Sequence, residues 1–333
     1  MTFIVYGPLC GRAKTYSIMI KKHHVLSFTD LSRRDFLDIL SIATRLKREL
    51  KKRGKNRPVL LRKTLIMIFE KPSLRTHASF EIGMTELGGH ALYFGPEHIG
   101  LGKREPIEHA AHVLSRMGDI IMARVFDHGT VEGLAQSSRV PVINGLSDRE
   151  HPCQTLADLM TMVEHKRSLT GLRVAFVGDG DNNVTHSLAL ACGMLGMHLT
   201  VASPKGYAMD SGIKKTAQEL ASRYNGSIHE TTDPKAAVRG ADVVYTDTWI
   251  SMGDEKSKAK RLKVFRPYQV SASLMKLAKP DAIFMHDMPA YLGNEVTRDV
   301  FDSRQSVCYD QAENRLHAQK GLLVFLLKKN KKK

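Results

Sequence analysis

The chain has 333 residues, of which 42% are apolar and 25% charged, as in a soluble globular protein with room for two domains. Its four cysteines lie far apart and none forms a C-x-x-C pair, which argues against a zinc site or a disulfide framework and favours a reducing cytoplasm. No apolar run approaches the roughly 18 residues of a transmembrane helix, and the formal net charge of +16 suits small anionic substrates or a polyanion.

Basic residues dominate both ends of the chain. No acidic residue precedes Asp30, a composition found in transit peptides, although we interpret residues 1–20 as a short N-terminal extension. Residues 329–333 form a basic tail that we interpret as solvated. We therefore expect a cytoplasmic location, or an organellar matrix if residues 1–20 are a transit peptide.

Short apolar runs alternate with helical patterns through the first half of the chain. An amphipathic helix begins near Ser32, where Asp30 or Ser32 can accept hydrogen bonds from the first free N–H groups. Buried strands are predicted for residues 64–69, 120–125 and 140–143, and helices for residues 79–87 and 106–117.

The second half repeats this alternation. Strands are predicted for residues 172–177, 199–202, 242–246 and 282–286, with helices near 187–195 and 314–327. Strands that alternate with helices indicate parallel sheets covered on both faces, with ligands beyond the strand ends. The predicted fold is α/β, with two doubly wound parallel-sheet domains and the active site in the cleft between them. We expect one domain over residues 21–150, a second over 151–313, and a C-terminal helix, 314–328, packed back on the first.

Residues 69–77 link a predicted strand to a predicted helix. A helix N-terminus offers free N–H groups to phosphate, Ser73 and Thr76 add hydroxyls, and Arg75 adds a planar fork of donors. An ordinary helix capped by Ser73 explains the same composition equally well. The segment is therefore a candidate phosphate site on composition alone.

Three other segments carry polar residues at or after strand ends. Arg124 either reaches the crevice of its sheet or faces solvent, and a lone histidine such as His151, in the segment His-Pro-Cys-Gln, is more often structural. The glycine-rich turn at 178–180 suggests a dinucleotide site, but Asn183 replaces the third glycine of G-x-G-x-x-G. A nicotinamide dehydrogenase is therefore poorly supported.

Taken in order, these segments resemble the motifs of the aspartate and ornithine transcarbamoylase family. Ser-Leu-Arg-Thr-His at 73–77 is similar to the family's Ser-Thr-Arg-Thr-Arg, and the segment from His151 to Gln154 to its His-Pro-x-Gln. Further similar segments are Ala-Arg-Val at 123–125, Gly-Asp-Gly-Asp-Asn-Asn at 178–183, Asp-Thr-Trp-Ile-Ser-Met-Gly at 247–253, His-Asp-Met-Pro at 286–289 and Ala-Glu-Asn-Arg at 312–315. The resemblance runs from about residue 24 to 327.

The resemblance implies an enzyme that moves a carbamoyl group from carbamoyl phosphate onto a small amine, with no metal and no organic cofactor. Residues 21–150 would bind carbamoyl phosphate and residues 151–313 the acceptor. The family motifs place carbamoyl phosphate against Ser73, Leu74, Arg75, Thr76, Arg124, His151, Gln154, Asp287, Met288 and Arg315. Arg124 and His151 would face the carbonyl oxygen and Gln154 the amide nitrogen.

The acceptor residues implied by the family are Asn183, Asp247, Ser251 and Met252. The glycine-rich segment is one residue longer than the family's, so Asn183 takes the place of the family's second asparagine. Asp247 would pair with an α-ammonium group, while Ser251 and Met252 would lie on a loop that closes over the acceptor's carboxylate end. The run Ser-Met-Gly favours ornithine over aspartate as acceptor, and citrulline as product.

Asp287 is the most consequential departure, because many ornithine enzymes have cysteine there. A carboxylate beside an ammonium group favours its charged form, which slows attack, whereas a carboxylate that takes the proton acts as a general base. Both roles remain open, and we count Asp287 with Arg124 and His151 as catalytic. His77 replaces a usual arginine, and Gly100 a polar residue of the loop that the family lends to a neighbouring subunit, where Lys103 or Arg104 is a substitute donor.

Two alternatives stay open at this stage. One is a transcarbamoylase for another amine such as putrescine, which Asp287 favours and the Ser-Met-Gly run opposes. The other is a non-catalytic polyanion binder, which the net charge favours, although the basic residues do not cluster with aromatics as nucleic-acid surfaces do. The family implies a homotrimer or a multiple of trimers, no membrane partner and no nucleic acid.

Overall fold

The computed structural model describes residues 24–98, 100–101, 104–250 and 257–329, and these form two parallel sheets flanked by helices. The first sheet has the strand order β2-β1-β3-β4 and the second β7-β6-β5-β8-β9. The strands are β1 Thr64–Phe69, β2 His90–Phe94, β3 Ile120–Arg124, β4 Val142–Leu146, β5 Arg173–Val177, β6 His198–Ala202, β7 Ser227–Thr231, β8 Val243–Thr246 and β9 Ile283–His286. The predicted fold class is therefore confirmed.

Helices cover both faces of each sheet, which is why the central strands are apolar along their whole length. They are α1 Arg33–Arg53, α2 Leu74–Glu86, α3 Ile107–Met117, α4 His128–Ser137, α5 Pro152–Lys166, α6 Asn183–Leu195, α7 Ser211–Arg223, α8 Pro234–Val238, α9 Lys258–Phe265, α10 Ala272–Met275, α11 Arg298–Phe301 and α12 Cys308–Lys329. Among the described residues, no helix is long and apolar enough to cross a membrane.

The predicted strands and helices are present, with shifted ends that have local causes. Helix α2 begins at Leu74 rather than Ser79 because Ser73 caps it, accepting a hydrogen bond from the backbone N–H of Thr76. Strand β4 begins at Val142 rather than Val140, since Pro141 has no N–H to donate to the sheet. Strands β2 and β7 were not predicted; both are edge strands of their sheets and are largely not buried.

Helix α12 packs against α1, α2 and α5, and two lysines fasten it there. The Nζ of Lys320 donates to Asn56 Oδ1 at 2.9 Å and to Glu86 Oε2 at 2.5 Å, and its side chain is fully buried. The Nζ of Lys47 on α1 donates to Asn314 Oδ1 on α12 at 2.6 Å. A Cβ on Gly321 would lie 2.7 Å from the backbone oxygen of Ile39, so glycine is needed for this close approach.

A buried hydrogen-bond network around Asp158 joins α5, β8 and α12. Asp158 Oδ1 accepts from Gln154 Nε2 at 2.8 Å and from Gln311 Nε2 at 2.7 Å, while Oδ2 accepts from the Tyr245 hydroxyl at 3.1 Å. Burial raises the pKa of Asp158 to about 7, although the bonds from Gln154 and Gln311 oppose the shift.

The substitution Asp158→Asn is expected to stabilise the protein above neutral pH. Since the folded state holds the proton of Asp158 more firmly than the unfolded chain, stability falls as pH rises from the unfolded pKa of 3.8 to the folded pKa of about 7. At pH 8, ionisation of Asp158 lowers the free energy of unfolding by about 4 kcal/mol. Asparagine does not ionise, so the variant does not incur this loss. Urea unfolding at pH 5 and pH 8 should show a gain that grows with pH; a gain equal at both values would contradict this, and exposed Asp38→Asn is the control.

Candidate active site

A cavity of about 730 Å³ lies where the carboxyl ends of strands from both sheets meet. Its walls are formed by residues that follow β1, β3, β5, β8 and β9, with Arg315 from α12. Parallel strands bring their carboxyl ends to one edge, which is where open α/β sheets bind ligands. One end of this cavity is lined by cations and the other by carboxyl groups and amides.

The N-terminus of α2 forms the floor of the cationic end. Ser73, Leu74 and Arg75 line the cavity, and the Leu74 side chain is 81% exposed, so its contribution to the wall is not core packing. Because the first N–H groups of a 13-residue helix have no partners within the helix, they are available to an anion. The Nε of Arg75 is buried without a hydrogen-bond partner among the described residues.

Arg124 and Arg315 converge on one hydroxyl at this end. The Oγ1 of Thr76 accepts from Arg315 Nη2 at 2.7 Å and from Arg124 Nη1 at 3.5 Å. A register shift between Ala123 and Arg124 interrupts the pairing of β3 with β4, and such irregularities re-aim side chains at strand ends. Burial, together with the charges of Arg315 and Arg75, lowers the pKa of Arg124 to about 9. Arg124 therefore remains charged at neutral pH, and the Nε atoms of both arginines have no hydrogen-bond partner among the described residues.

His151 is a buried neutral imidazole at the start of α5. Burial, and then the charges of Arg315 and Arg124, hold the pKa of His151 well below its usual range. Its backbone N–H donates to Ser187 Oγ at 2.9 Å, whereas its Nδ1 has no partner among the described residues. His151 can therefore offer a hydrogen bond to a ligand in the cavity, but not a positive charge.

Gln154 lies one turn further along α5 and is fully buried behind the wall. Its Nε2 is held by Asp158, which fixes the orientation of the amide, and its Oε1 has no partner among the described residues. The Gln154 Oε1 is therefore an acceptor without a partner, and the hydrogen bonds around Asp158 that join α5 to α12 fix its direction.

The other end of the cavity carries Asn183 and Asp247. Asn183 is the first residue of α6 after its cap, Asn182, and its Nδ2 donates to the backbone oxygen of Ser147 at 2.8 Å. Asp247 follows β8; burial, and then the charge of Asp287 and a hydrogen bond with it, raise the pKa of Asp247 well above its usual range.

Asp287 and Met288 follow β9 and face the same cavity. Met288 has a φ of +63°, in the left-handed region that non-glycine residues rarely adopt, a form of strain found most often at functional sites. The ligating atoms of Asp247, His286 and Asp287 lie within 4.8 Å of one another, the one such group among the described residues. His286 has no free lone pair, because its Nδ1 accepts from Met288 N–H at 2.9 Å and its Nε2 pairs with Glu295. The group is therefore ill suited to a metal ion.

Several residues of the cavity were not predicted. Lys71 lines the cationic end with its Nζ 4.8 Å from the centre of the Phe126 ring, and burial, with the charge of Arg124, lowers its pKa to about 8. At the acceptor end, Arg261 bonds to Asp179 and to the backbone oxygen of Trp249. Arg261 lies far along the chain from the glycine-rich turn, and its pairing with Asp179 has no local signature.

Some predicted residues lie elsewhere. The ring of His77 stacks on Tyr93 with centroids 4.3 Å apart, and its Nε2 lies 2.8 Å from Glu81 Oε2, so His77 does not line the cavity. Ser251 and Met252 lie outside the described residues, as do Lys103 and the two terminal segments 1–23 and 330–333. Arg104 is exposed and lies outside the cavity wall.

Known proteins similar to this chain match it over nearly its whole length. Residues 23–164 match the carbamoyl-P binding domain of the family "Aspartate/ornithine carbamoyltransferase", and residues 170–326 match its Asp/Orn binding domain. The ornithine carbamoyltransferase of Pyrococcus abyssi is 50% identical over 310 residues, 93% of this chain and 97% of that protein. The structure of the Pyrococcus furiosus ornithine carbamoyltransferase is 51% identical, with a TM-score of 0.88 over 90% of this chain and 96% of that one. The anabolic enzyme of Campylobacter jejuni is 38% identical, with a TM-score of 0.86 over 92% and 99%.

Proposed function

Since this chain belongs to the aspartate/ornithine carbamoyltransferase family, we propose that it transfers the carbamoyl group of carbamoyl phosphate to the side-chain amine of L-ornithine. The products are L-citrulline and phosphate. The observation that carries the proposal is the polarity of the cavity wall, in which Arg75, Arg124 and Arg315 lie together and Asp247 follows a strand of the other sheet, with Asp287 between them. An anionic donor and a cationic acceptor fit such a cavity in one orientation only. The names of the similar proteins support ornithine as the acceptor.

Carbamoyl phosphate binds at the cationic end. Its phosphate takes the N–H groups of the first turn of α2, the hydroxyl of Ser73 and the guanidinium of Arg75. Its carbonyl oxygen lies toward Arg124, with a hydrogen bond from neutral His151, and its amide nitrogen donates to the free Oε1 of Gln154. The free N–H and lone-pair positions described above support this orientation.

Ornithine enters from the side of Asn183, Asp247 and Asp287, with Met288 beside the reacting groups. Its side-chain amine attacks the carbamoyl carbon, and negative charge develops on the carbonyl oxygen. Fixed donors aimed at that oxygen stabilise the transition state more than the ground state, because the charge is absent before attack. Arg124 and His151 thus act as an oxyanion hole, and Ser251 and Met252 are proposed to contact the carboxylate end of ornithine.

Each half of the chain binds one of the two substrates in this proposal. Residues 21–150 form the carbamoyl phosphate-binding domain together with the C-terminal helix, and residues 151–313 form the ornithine-binding domain. We further propose a homotrimer, or a multiple of trimers, that acts in arginine biosynthesis in the cytoplasm, with no resident cofactor. The anabolic enzymes among the similar proteins support the biosynthetic role, and the buried thiols of Cys153, Cys192 and Cys308, which form no disulfide, support a reducing compartment.

The proposal is tested by incubating the purified protein with carbamoyl phosphate and one of four amines. Ornithine, putrescine, acetylornithine and aspartate are offered separately, and ureido product and phosphate are measured together. We expect equal amounts of citrulline and phosphate with ornithine, and a kcat/KM at least tenfold lower with each other amine. Ureido product from putrescine at a higher kcat/KM would reassign the acceptor, and no ureido product from any amine would refute the transferase.

A further inference from the structure

Asp287 lies between the two halves of the cavity. On one side its carboxylate interacts with the charges of Arg124 and Arg315, which come from β3 and α12. On the other side it lies against Asp247, whose carboxyl follows β8. Its side chain is 14% exposed, and its Oδ1 has no hydrogen-bond partner among the described residues. Asp287, which lines the cavity, therefore has a buried carboxylate oxygen without a hydrogen-bond partner among the described residues.

His286, the nearest imidazole, does not supply a proton to this oxygen. Its Nδ1 lies 3.6 Å from Asp287 Oδ1 but already accepts the Met288 N–H at 2.9 Å, so that nitrogen carries no hydrogen. The ring hydrogen is then on Nε2, which donates to Glu295 Oε1 at 3.1 Å. The contact between His286 and Asp287 is thus not an ion pair, because the nearer nitrogen of His286 has no proton to share with the Asp287 carboxylate.

Asp247 is the member of the carboxyl pair whose pKa is raised. Two adjacent carboxyl groups in a poorly solvated site do not readily both ionise, because their like charges repel. The charges of Arg124 and Arg315 act on Asp287, whereas Asp247 accepts a hydrogen bond from the backbone N–H of Thr248 at 2.6 Å. Burial and the charge of Asp287 raise the pKa of Asp247. Asp247 is therefore the donor, and Asp287 the acceptor, in the hydrogen bond between the two carboxyl groups.

We propose that Asp287 is the general base of the transfer reaction, accepting the proton that the side-chain ammonium of ornithine must lose before it attacks. This inference rests on the proposed function. The ammonium gives one proton to Asp287, and the resulting amine forms a bond from nitrogen to the carbamoyl carbon. The bond from that carbon to the phosphate oxygen then breaks. The second nitrogen proton passes to the departing phosphate, which leaves as HPO₄²⁻, and Asp287 returns its proton to solvent.

The surroundings of Asp287 fit this role. Titratable and charged groups from five elements interact electrostatically with Asp287. They are Arg124 on β3, Asp158 on α5, Tyr245 on β8 with Asp247 directly after it, His286 on β9, and Cys308 and Arg315 on α12. Once Asp287 has taken the proton, the cavity is more positive, which favours the negative charge that then forms on the carbonyl oxygen.

The test is the pH dependence of kcat for Asp287→Asn, an isosteric change that keeps a hydrogen-bonding group but removes the base. At pH 7 we expect kcat with ornithine to fall by a factor of about 100, within the range typical of general-base catalysis. Because the variant depends on amine that is already deprotonated, its log kcat should rise with a slope near 1 from pH 7 to pH 10. The parent should be flat over most of this range, so the deficit shrinks at high pH.

Two further variants separate the base from a structural role. Asp247→Asn should raise KM for ornithine while keeping the flat pH profile of kcat, since asparagine still donates to Asp287. The exposed Asp302→Asn should match the parent. A deficit in Asp287→Asn that is equal at every pH, or a kcat within twofold of the parent at pH 7, would overturn the inference. If the parent itself forms no citrulline, it is the proposed function that fails instead.

Discussion

Replacing Arg124 with alanine is expected to lower kcat by roughly 10²–10³, because one fixed donor to the developing negative charge is lost. Arg124 ends β3 at the point where the pairing with β4 is irregular, and its guanidinium lies in the cavity beside Arg315. KM for carbamoyl phosphate should rise less than kcat falls, since Arg75 and the α2 N-terminus still bind the phosphate. Steady-state kinetics with ornithine measure both constants, and the exposed Arg266→Ala is the matched control.

The same variant should be at least as stable as the parent. Burial and the neighbouring Arg315 and Arg75 lower the pKa of Arg124, which means that its charge is held at a cost in the absence of substrate. Removing it relieves that cost, so the unfolding temperature should stay the same or rise while activity falls. An Arg124→Ala variant with near-normal turnover, or one that loses activity only because it unfolds, would contradict the assignment.

Lys320→Ala is expected to lower the free energy of unfolding by about 3 kcal/mol, the lower end of the range for breaking a buried ion pair. The substitution leaves Glu86 without its cation and the buried Oδ1 of Asn56 without its donor, and it opens space between α12 and α2. Lys320→Met, which keeps most of the apolar stem, should lose less.

Urea unfolding of both variants gives the measurement, with exposed Lys276→Ala as the control. Since Lys320 also fastens the helix that carries Arg315, the alanine variant should lose part of its activity at temperatures where it is still folded. Equal stability of the parent and Lys320→Ala would mean that the pair with Glu86 contributes nothing to the docking of α12.

The sequence predicted the sheets and much of the cavity wall for one physical reason. Apolar runs mark buried strands, and polar residues that directly follow them, such as Arg124 and Asp247, must meet at one edge of a parallel sheet. Contacts between distant parts of the chain had no such signal. The bonds of Arg315 and Arg124 to Thr76 join three elements, and the direction of His77 depends on its stacking with Tyr93 in an edge strand that was not predicted.

The protonation states of the site residues could not be predicted from the sequence either. His151 and Asp247 were expected to act as a site histidine and a charged carboxylate, yet burial and neighbouring charges shift the pKa of each group toward its neutral form. The role of Asp287 could not be predicted from the sequence for the same reason. Sequence alone left two opposite roles for it, and the choice depends on the hydrogen bonds of His286 and on the two arginines that face it.

The bond from Arg315 to Thr76 also bears on the order in which the protein matures during synthesis. Thr76 leaves the ribosome early, whereas its partner lies on α12, among the last elements to emerge. Domains fold from the N-terminus as they appear, so both sheets can form before any complete catalytic centre exists. Until α12 docks, the apolar faces of α1, α2 and α5 that it covers stay open to solvent. We therefore expect a nascent or prematurely terminated chain that lacks α12 to be inactive, because Arg315 is missing. We also expect it to expose the apolar faces of these three helices, which chaperones can bind.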